Sequence, residues 1–317
     1  MNAFDLVTIG RCGVDLYPTR SGVPLSEVDT FARFLGGTAT NVAVAAARLG
    51  HSAALVTCTG ADPFGDFVHQ ALRDYGVDDR FVRPVPWLKT PITFCELFPP
   101  DSFPLYFYRE PKAPDLEITP DELDLEALAA ARLVWLTGTG LCAEPSRSAV
   151  HAVLAHRRGQ TLLDLDYRPM FWSSHAEARR QYRAALATGS VSVAIGNREE
   201  CAVATGEDDP ERAAKALLDL GVTLAVVKLG PDGVLGCTGD GQQVRVPPVP
   251  VDVVNGLGAG DAFGGALCHG LLSGWSLRRS LRFANAAGAF VAARLACSAA
   301  MPTTADLSAL IGEGPDD

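Results

Sequence analysis

Short apolar runs alternate with longer amphipathic stretches along most of the chain. Leu6-Val-Thr-Ile9 reads as a first buried strand ending in Gly10, and Ala54-Leu-Val-Thr-Cys-Thr59 as a second. Leu133-Val-Trp-Leu-Thr137, Thr161-Leu-Leu-Asp-Leu165, Val191-Ser-Val-Ala-Ile195 and Leu224-Ala-Val-Val-Lys228 follow, with helical stretches between them. Near-continuous apolar runs suit strands buried on both faces. The rhythm predicts right-handed βαβ units, and so an α/β fold: a central, mostly parallel sheet covered by helices on both faces. An alanine-rich helix is expected from Val42 to Leu49, closed by Gly50 as its C-cap. A second starts at Asp62-Pro-Phe-Gly, with a capping Asp and Pro at the first helical position.

Three stretches break this rhythm. Arg11-Cys-Gly-Val-Asp-Leu-Tyr-Pro18 alternates too briefly for a core element and leads into Pro and Gly punctuation. Pro91-Ile-Thr-Phe-Cys-Glu-Leu-Phe98 and Phe103-Pro-Leu-Tyr-Phe-Tyr-Arg109 are β-rich and joined by Pro-Pro-Asp-Ser. The expected organisation is a core formed by residues 1–10, 36–90 and 113–317, with a small β-sheet set apart from it by residues 11–35 and 91–112.

At 317 residues the chain is long enough to bury a sizeable core without staples. A net charge of −10 and a pI near 5.1 argue against a general nucleic-acid or anionic-membrane binder. The pairs Arg157-Arg158, Arg179-Arg180 and Arg278-Arg279 fall in helical patterns and are expected on solvated faces. None of the eight cysteines stands in a CxxC or zinc spacing, and Cys58, Cys95 and Cys268 lie in apolar runs, as free thiols of a reducing cytoplasm do. No basic-then-apolar leader precedes the first strand, and no uncharged apolar run reaches membrane-spanning length. A cytoplasmic location is the expectation.

The chemistry concentrates in Val253-Val-Asn-Gly-Leu-Gly-Ala-Gly-Asp-Ala-Phe-Gly-Gly-Ala266. Glycines ahead of a helix let the backbone turn tightly, and the first helical amides form an anion site at the positive end of the dipole. Asp261 would repel a resting phosphate, but it suits an attacking hydroxyl that must lose a proton. The plainer alternative is an N-terminal Asp favoured by the helix dipole. Neither a GxxxxGK[ST] loop nor a GxGxxG after a strand is present, which weakens a dehydrogenase.

The stretch resembles the second signature of the ribokinase-like (PfkB) sugar kinases, roughly D-T-x-G-A-G-D, and Gly258-Ala-Gly-Asp261 match it as they stand. Asn255 replaces the usual Asp and Gly256 the usual Thr or Val; the first departure argues against a monovalent-cation site of the ribokinase kind. Gly36-Gly37 followed by Asn41 matches the first signature, G-G-x-x-x-N, and Asn197-Arg-Glu-Glu200 matches N-x-x-E. Lys228-Leu-Gly-Pro-Asp-Gly233 resembles the T-x-G-x-x-G nucleotide turn, with Lys for Thr.

The resemblance implies transfer of the γ-phosphoryl group of ATP to a sugar hydroxyl, with Mg²⁺ bridging phosphate oxygens. Asp261 would be the base, and the amides of Gly258, Ala259, Gly260 and Asp261 would hold the phosphoryl group. Asp15, Gly36, Gly37 and Asn41 would take the acceptor. Asn197, Lys228, Gly230, Gly233 and Asn285 would serve the nucleotide, and Glu200 would order Mg²⁺ through water. The small β-sheet would be the lid, and its exposure favours a homodimer.

Each position has a plainer role too. Asp15 suits a turn, Asn197 a helix cap and Lys228 a strand end. For the acceptor, Tyr108-Arg109 and Arg168 place arginines beside aromatics, where a bidentate guanidinium matches a carboxylate; surface ion pairs are the alternative. The stretches Ile9–Pro18, Phe103–Pro111 and Asp164–Trp172 are similar to a branch of the family that phosphorylates a six-carbon keto sugar acid in inositol breakdown. Kinases of 2-dehydro-3-deoxygluconate or fructose, and a catalytically silent sugar-binding regulator, are the competing expectations.

Overall fold

The computed structural model describes residues 3–312; the outermost residues assigned above to the core, 1–2 and 313–317, lie outside the described residues. Fourteen strands and ten helices follow one another along the described chain. The strands are β1 (Leu6–Ile9), β2 (Gly13–Pro18), β3 (Phe31–Gly36), β4 (Ala53–Gly60), β5 (Val77–Asp78), β6 (Val82–Val85) and β7 (Ile92–Cys95). They continue as β8 (Leu105–Tyr108), β9 (Leu133–Thr137), β10 (Gln160–Asp164), β11 (Val193–Asn197), β12 (Leu224–Lys228), β13 (Val234–Thr238) and β14 (Gln243–Val246). The helices are α1 (Thr38–Arg48), α2 (Pro63–Asp74), α3 (Leu125–Ala130), α4 (Ser146–His156) and α5 (His175–Leu186). After them come α6 (Arg198–Thr205), α7 (Pro210–Asp219), α8 (Ala259–Leu272), α9 (Leu277–Ala292) and α10 (Thr304–Ile311).

The central sheet runs β14-β13-β12-β11-β10-β9-β1-β4-β5, with β6 also paired to β4. From β12 to β5 every pairing is parallel, and the antiparallel β12-β13-β14 meander finishes one edge. Because side chains alternate across a strand, each strand feeds two cores. Leu6, Leu55, Trp135 and Val226 pack under α1, α8 and α9. Val7, Val56, Leu136 and Val227 pack under α4, α5 and α7 on the opposite face. Gly13–Pro18, Phe31–Gly36, Ile92–Cys95 and Leu105–Tyr108 form a separate four-stranded sheet, in the order β3-β2-β7-β8.

Three expectations are corrected. Helix α1 begins at Thr38, four residues before Val42, because the backbone turns at Gly37 (φ 100°). Strand β11 runs from Val193 to Asn197, two residues later than the apolar run, and ends in the residue that caps α6. Arg157 is no solvated residue: its guanidinium is buried and donates to the carbonyls of Leu128, Ala129, Ala131 and Gln160. There it gathers chain ends that would otherwise leave buried acceptors unpaired. Among the described residues no helix is long and apolar enough to cross a membrane.

Candidate active site

In a parallel sheet the ligand crevice lies at the carboxyl ends of the strands. Here Arg11 follows β1, Asp164 ends β10, Asn197 ends β11 and Lys228 ends β12, and all four border one cavity of about 330 Å³. The small sheet contributes Asp15, Tyr17, Leu105 and Phe107 to the facing wall. Asn41 enters from α1, and Gly258, Gly260 and Asp261 from the start of α8.

The α8 end carries the anion-binding geometry. Gly258 is its N-cap in the left-handed region (φ 78°), and a Cβ there would stand 2.6 Å from Cys297 Sγ. Helical bonding begins with Ala262 N–H donating to the Gly258 carbonyl (2.9 Å), so the amides of Ala259, Gly260 and Asp261 lie ahead of the ladder. Lys228 Nζ stands 3.3 Å from where a Cβ on Gly260 would be, placing an ammonium beside those amides. Burial opposes the charge of Lys228, but Glu200, Asp164 and Asp261 outweigh it and hold its pKa above the ordinary value. Asn41 Nδ2 donates to Asp261 Oδ2 at 2.6 Å and fixes the carboxylate. Burial pushes Asp261 up to about 6, partly countered by that hydrogen bond. A carboxylate with a raised pKa and a fixed orientation has the character of a general base.

At the other end Asp15 lies against Gly36, where a Cβ would come within 2.2 Å of its Oδ1. The Tyr17 hydroxyl donates to Asp15 Oδ2 at 3.1 Å and also meets Cys297 Sγ at 2.7 Å. Burial pushes Asp15 up to about 6 against the pull of Tyr17 and Arg11. Both terminal nitrogens of Arg109 grip buried Asp115, at 3.1 and 2.6 Å. Arg168 bridges Asp166 (3.0 Å) and Glu200 (3.4 Å). Asp166 also receives Nε and Nη2 of Arg11, and it is the one non-glycine with positive φ among the described residues (37°). That backbone costs about 1–2 kcal/mol for an L-residue, offset here by the ionic contacts it permits. Arg11 and Arg168 hold the Asp166 carboxyl below its usual range in spite of burial.

The side expected to take the nucleotide is built more plainly. Asn197 Oδ1 accepts from Glu200 N–H and Glu200 Oε2 from Asn197 N–H, so the ordinary capping box is present. Glu200 also faces Lys228 Nζ at 3.9 Å. Gly230 borders the cavity; Gly233, in the left-handed region, closes the turn against the Val246 carbonyl. Among the described residues no group of three or more His, Cys, Asp or Glu side chains could hold a metal ion by itself. On the Lys228 side the cavity is bordered by the carboxyls of Glu200 and Asp164, the latter raised by burial and by its like-charged neighbours against the pull of Lys228. Mg²⁺ takes most of its ligands from phosphates and water, so a pair of such carboxyls at the rim fits it.

Asp15, Gly37, Asn41, Arg109 and Arg168 are thus brought together with the α8 terminus, and Asn197, Glu200, Lys228 and Gly230 with its far side. Gly36 and Ala259, each next in sequence to a lining residue, and Gly233 do not line the cavity themselves. Tyr108 does not reach the cavity. Strand alternation turns Leu105 and Phe107 inward and Tyr108 outward, 64% exposed, against Phe94. Asn285 also lies off this cavity: its amide donates to the Pro247 carbonyl (2.8 Å), tying α9 to the segment after β14 beside a second groove. Buried Asn255 ties the loop together, donating to the Leu295 carbonyl and accepting from Leu257 N–H. Arg11, Asp164 and Cys297 were not singled out from the sequence. For Arg11 a signal existed, a lone charge directly after a strand with no charged residue and its glycine.

A family model described as pfkB family carbohydrate kinase matches residues 3–304. The 5-dehydro-2-deoxygluconokinase of Shouchella clausii is 34% identical over 316 residues, covering 98% of this chain and 96% of the relative. That of Clostridium beijerinckii is 33% identical over 325 residues, covering 99% and 94%. Among solved structures, a fructokinase double mutant from Vibrio cholerae with fructose, ADP and potassium ion bound superposes with a TM-score of 0.84. It is 27% identical and covers 98% of this chain and 99% of its own.

Proposed function

We propose the following for a chain that belongs to the pfkB family of carbohydrate kinases: it transfers the γ-phosphoryl group of ATP to the terminal hydroxyl of 5-dehydro-2-deoxygluconate, giving the 6-phosphate. The observation that carries this reading is the juxtaposition of Asp261, fixed by Asn41, with the amides that open α8 and with Lys228. Asp261 takes the proton from the hydroxyl as its oxygen attacks phosphorus in line with the departing ADP oxygen. The amides of Gly258, Ala259, Gly260 and Asp261 and the Lys228 ammonium stabilise charge on the phosphoryl oxygens in flight. Asp15, Gly37 and Asn41 orient the acceptor hydroxyls, while Arg109 and Arg168 offer guanidiniums to its carboxylate end. Mg²⁺, held near Glu200 through water, would neutralise charge between the β- and γ-phosphates.

The four-stranded sheet acts as a lid, excluding water from the phosphoryl group when acceptor is bound. Its outer face, with Tyr106 and Tyr108 exposed, is the surface we assign to a homodimer contact. The relatives' names favour 5-dehydro-2-deoxygluconate over 2-dehydro-3-deoxygluconate and fructose.

The test is incubation of the protein with Mg-ATP and 5-dehydro-2-deoxygluconate, following ADP release and the phosphorus NMR spectrum of the product. Stoichiometric ADP and a phosphomonoester on the terminal carbon are expected, with no turnover when Mg²⁺ is omitted. Absence of ADP release with this acid, with 2-dehydro-3-deoxygluconate and with fructose would leave the silent regulator as the better reading.

A further inference from the structure

Three arginines border the acceptor half of the cavity, and their hydrogen bonding differs. Both terminal nitrogens of Arg109 are engaged by Asp115. Those of Arg168 are engaged by Asp166, Glu200 and the Tyr167 carbonyl. Arg11 gives Nε and Nη2 to Asp166, and Nη2 to Thr38 as well. Its Nη1 has no protein partner among the described residues, although the residue is only 7% exposed and borders the cavity. A guanidinium held on one side by the protein, with one nitrogen left unengaged where it borders a cavity, has a fixed donor edge that a ligand can take.

The surroundings select the ligand's charge. The Phe171 ring lies 5.8 Å from the Arg11 guanidinium and 4.9 Å from that of Arg109, so the two cations flank one aromatic. Phe107 stands 5.9 Å from Arg11 on the lid side. Aromatic walls hold the guanidinium planes and keep water away, which strengthens a contact to an anion. Asp166 is shared by Arg11 and Arg168, and Arg168 also takes Glu200, so Asp166 is the one carboxylate that Arg11 contacts among the described residues, and it is divided with a second cation. With Asp15 and Asp261 in the same cavity, an acidic acceptor needs a guanidinium edge at its carboxylate to offset them.

We propose that Arg11 is a specificity-determining residue, whose Nη1 edge receives the carboxylate of the acceptor beside Arg109, with Asp166 and Phe171 positioning it. The inference rests on the sugar-acid reading given above. It places the discriminating contact on the rigid end of β1, where a core strand fixes the geometry and lid closure is not required.

The experiment compares kcat/KM for 5-dehydro-2-deoxygluconate and for fructose at saturating Mg-ATP, in the wild type, Arg11→Lys and Arg11→Met, with KM for ATP measured alongside. A charge-assisted contact of this kind is worth about 10- to 150-fold, so the acid-to-neutral ratio should fall by roughly that factor in Arg11→Met. Arg11→Lys retains a cation for Asp166 but lacks the fork, and its ratio should fall to an intermediate value. Should Arg11→Met fail to fold, Arg11→Lys carries the same comparison, because the ratio is taken within one protein. An unchanged ratio in Arg11→Lys, or equal loss on both acceptors with a raised KM for ATP, would overturn the assignment. A wild type that does not prefer the acid would instead overturn the sugar-acid reading itself, before any variant is considered.

Discussion

Asp261 joins a raised pKa to a fixed orientation, and both follow from where α8 begins. Asp261→Asn keeps the volume and the helix start, so nucleotide binding should persist while kcat falls roughly 10²- to 10⁴-fold, the range of a positioned base. Single-turnover measurements that leave kcat above a tenth of wild type would remove Asp261 from proton transfer. The same burial predicts the acid limb. The base form of Asp261 in the free protein is lost as pH falls through about 6, so kcat/KM should decline on that side. Stability has the opposite sign. A native pKa of about 6 against an ordinary 3.8 contributes stability that is full below 3.8 and lost as pH rises through about 6. A kcat/KM profile that stays flat down to pH 5 would contradict this assignment. At the same scale, Asp261, Asn41 and Lys228 were legible because motif spacing marks them. Arg11 and Asp164 were not, because their role depends on strands distant in sequence ending side by side.

Among the elements, the start of α8 is the most constrained. Gly258 has φ 78°, and a side chain there meets Cys297. Gly258→Ala should lose about 1–2 kcal/mol to the left-handed backbone alone, with the Cys297 clash added, and should turn the amides away from the phosphoryl position. Thermal unfolding and kcat measured together check this. An alanine variant with the wild-type Tm and turnover would show that the loop is not held in this form. Strands β1, β4, β9, β10 and β12 were readable from their apolar runs, because strands buried on both faces leave that signature. The β13-β14 edge was not, since Gly236 interrupts Val234–Thr238 and Gln243–Val246 alternates polar and apolar residues. Arg157 misled for a related reason: a charge in a helical pattern looks solvated until the carbonyls that surround it are known.

For the molecule as a whole, the βαβ rhythm sufficed to predict a parallel sheet with two helical layers, because right-handed crossovers leave few alternatives. The pairing order of the small sheet was beyond the sequence. Its β2-β7 contact is parallel and joins strands separated by some eighty residues, with no turn to set the register. That sheet places Phe107 and Asp15 in the same cavity as the α8 terminus, so both parts of the molecule wall the candidate site. The most direct measurement of the function is kcat/KM of the wild type for 5-dehydro-2-deoxygluconate against fructose, by coupled ADP release with saturating Mg-ATP. With guanidiniums on the acceptor side, the acid should be preferred by about 100-fold or more, the worth of one to two charge-assisted contacts. Equal use of the two acceptors, or a preference for fructose, would contradict a sugar-acid kinase.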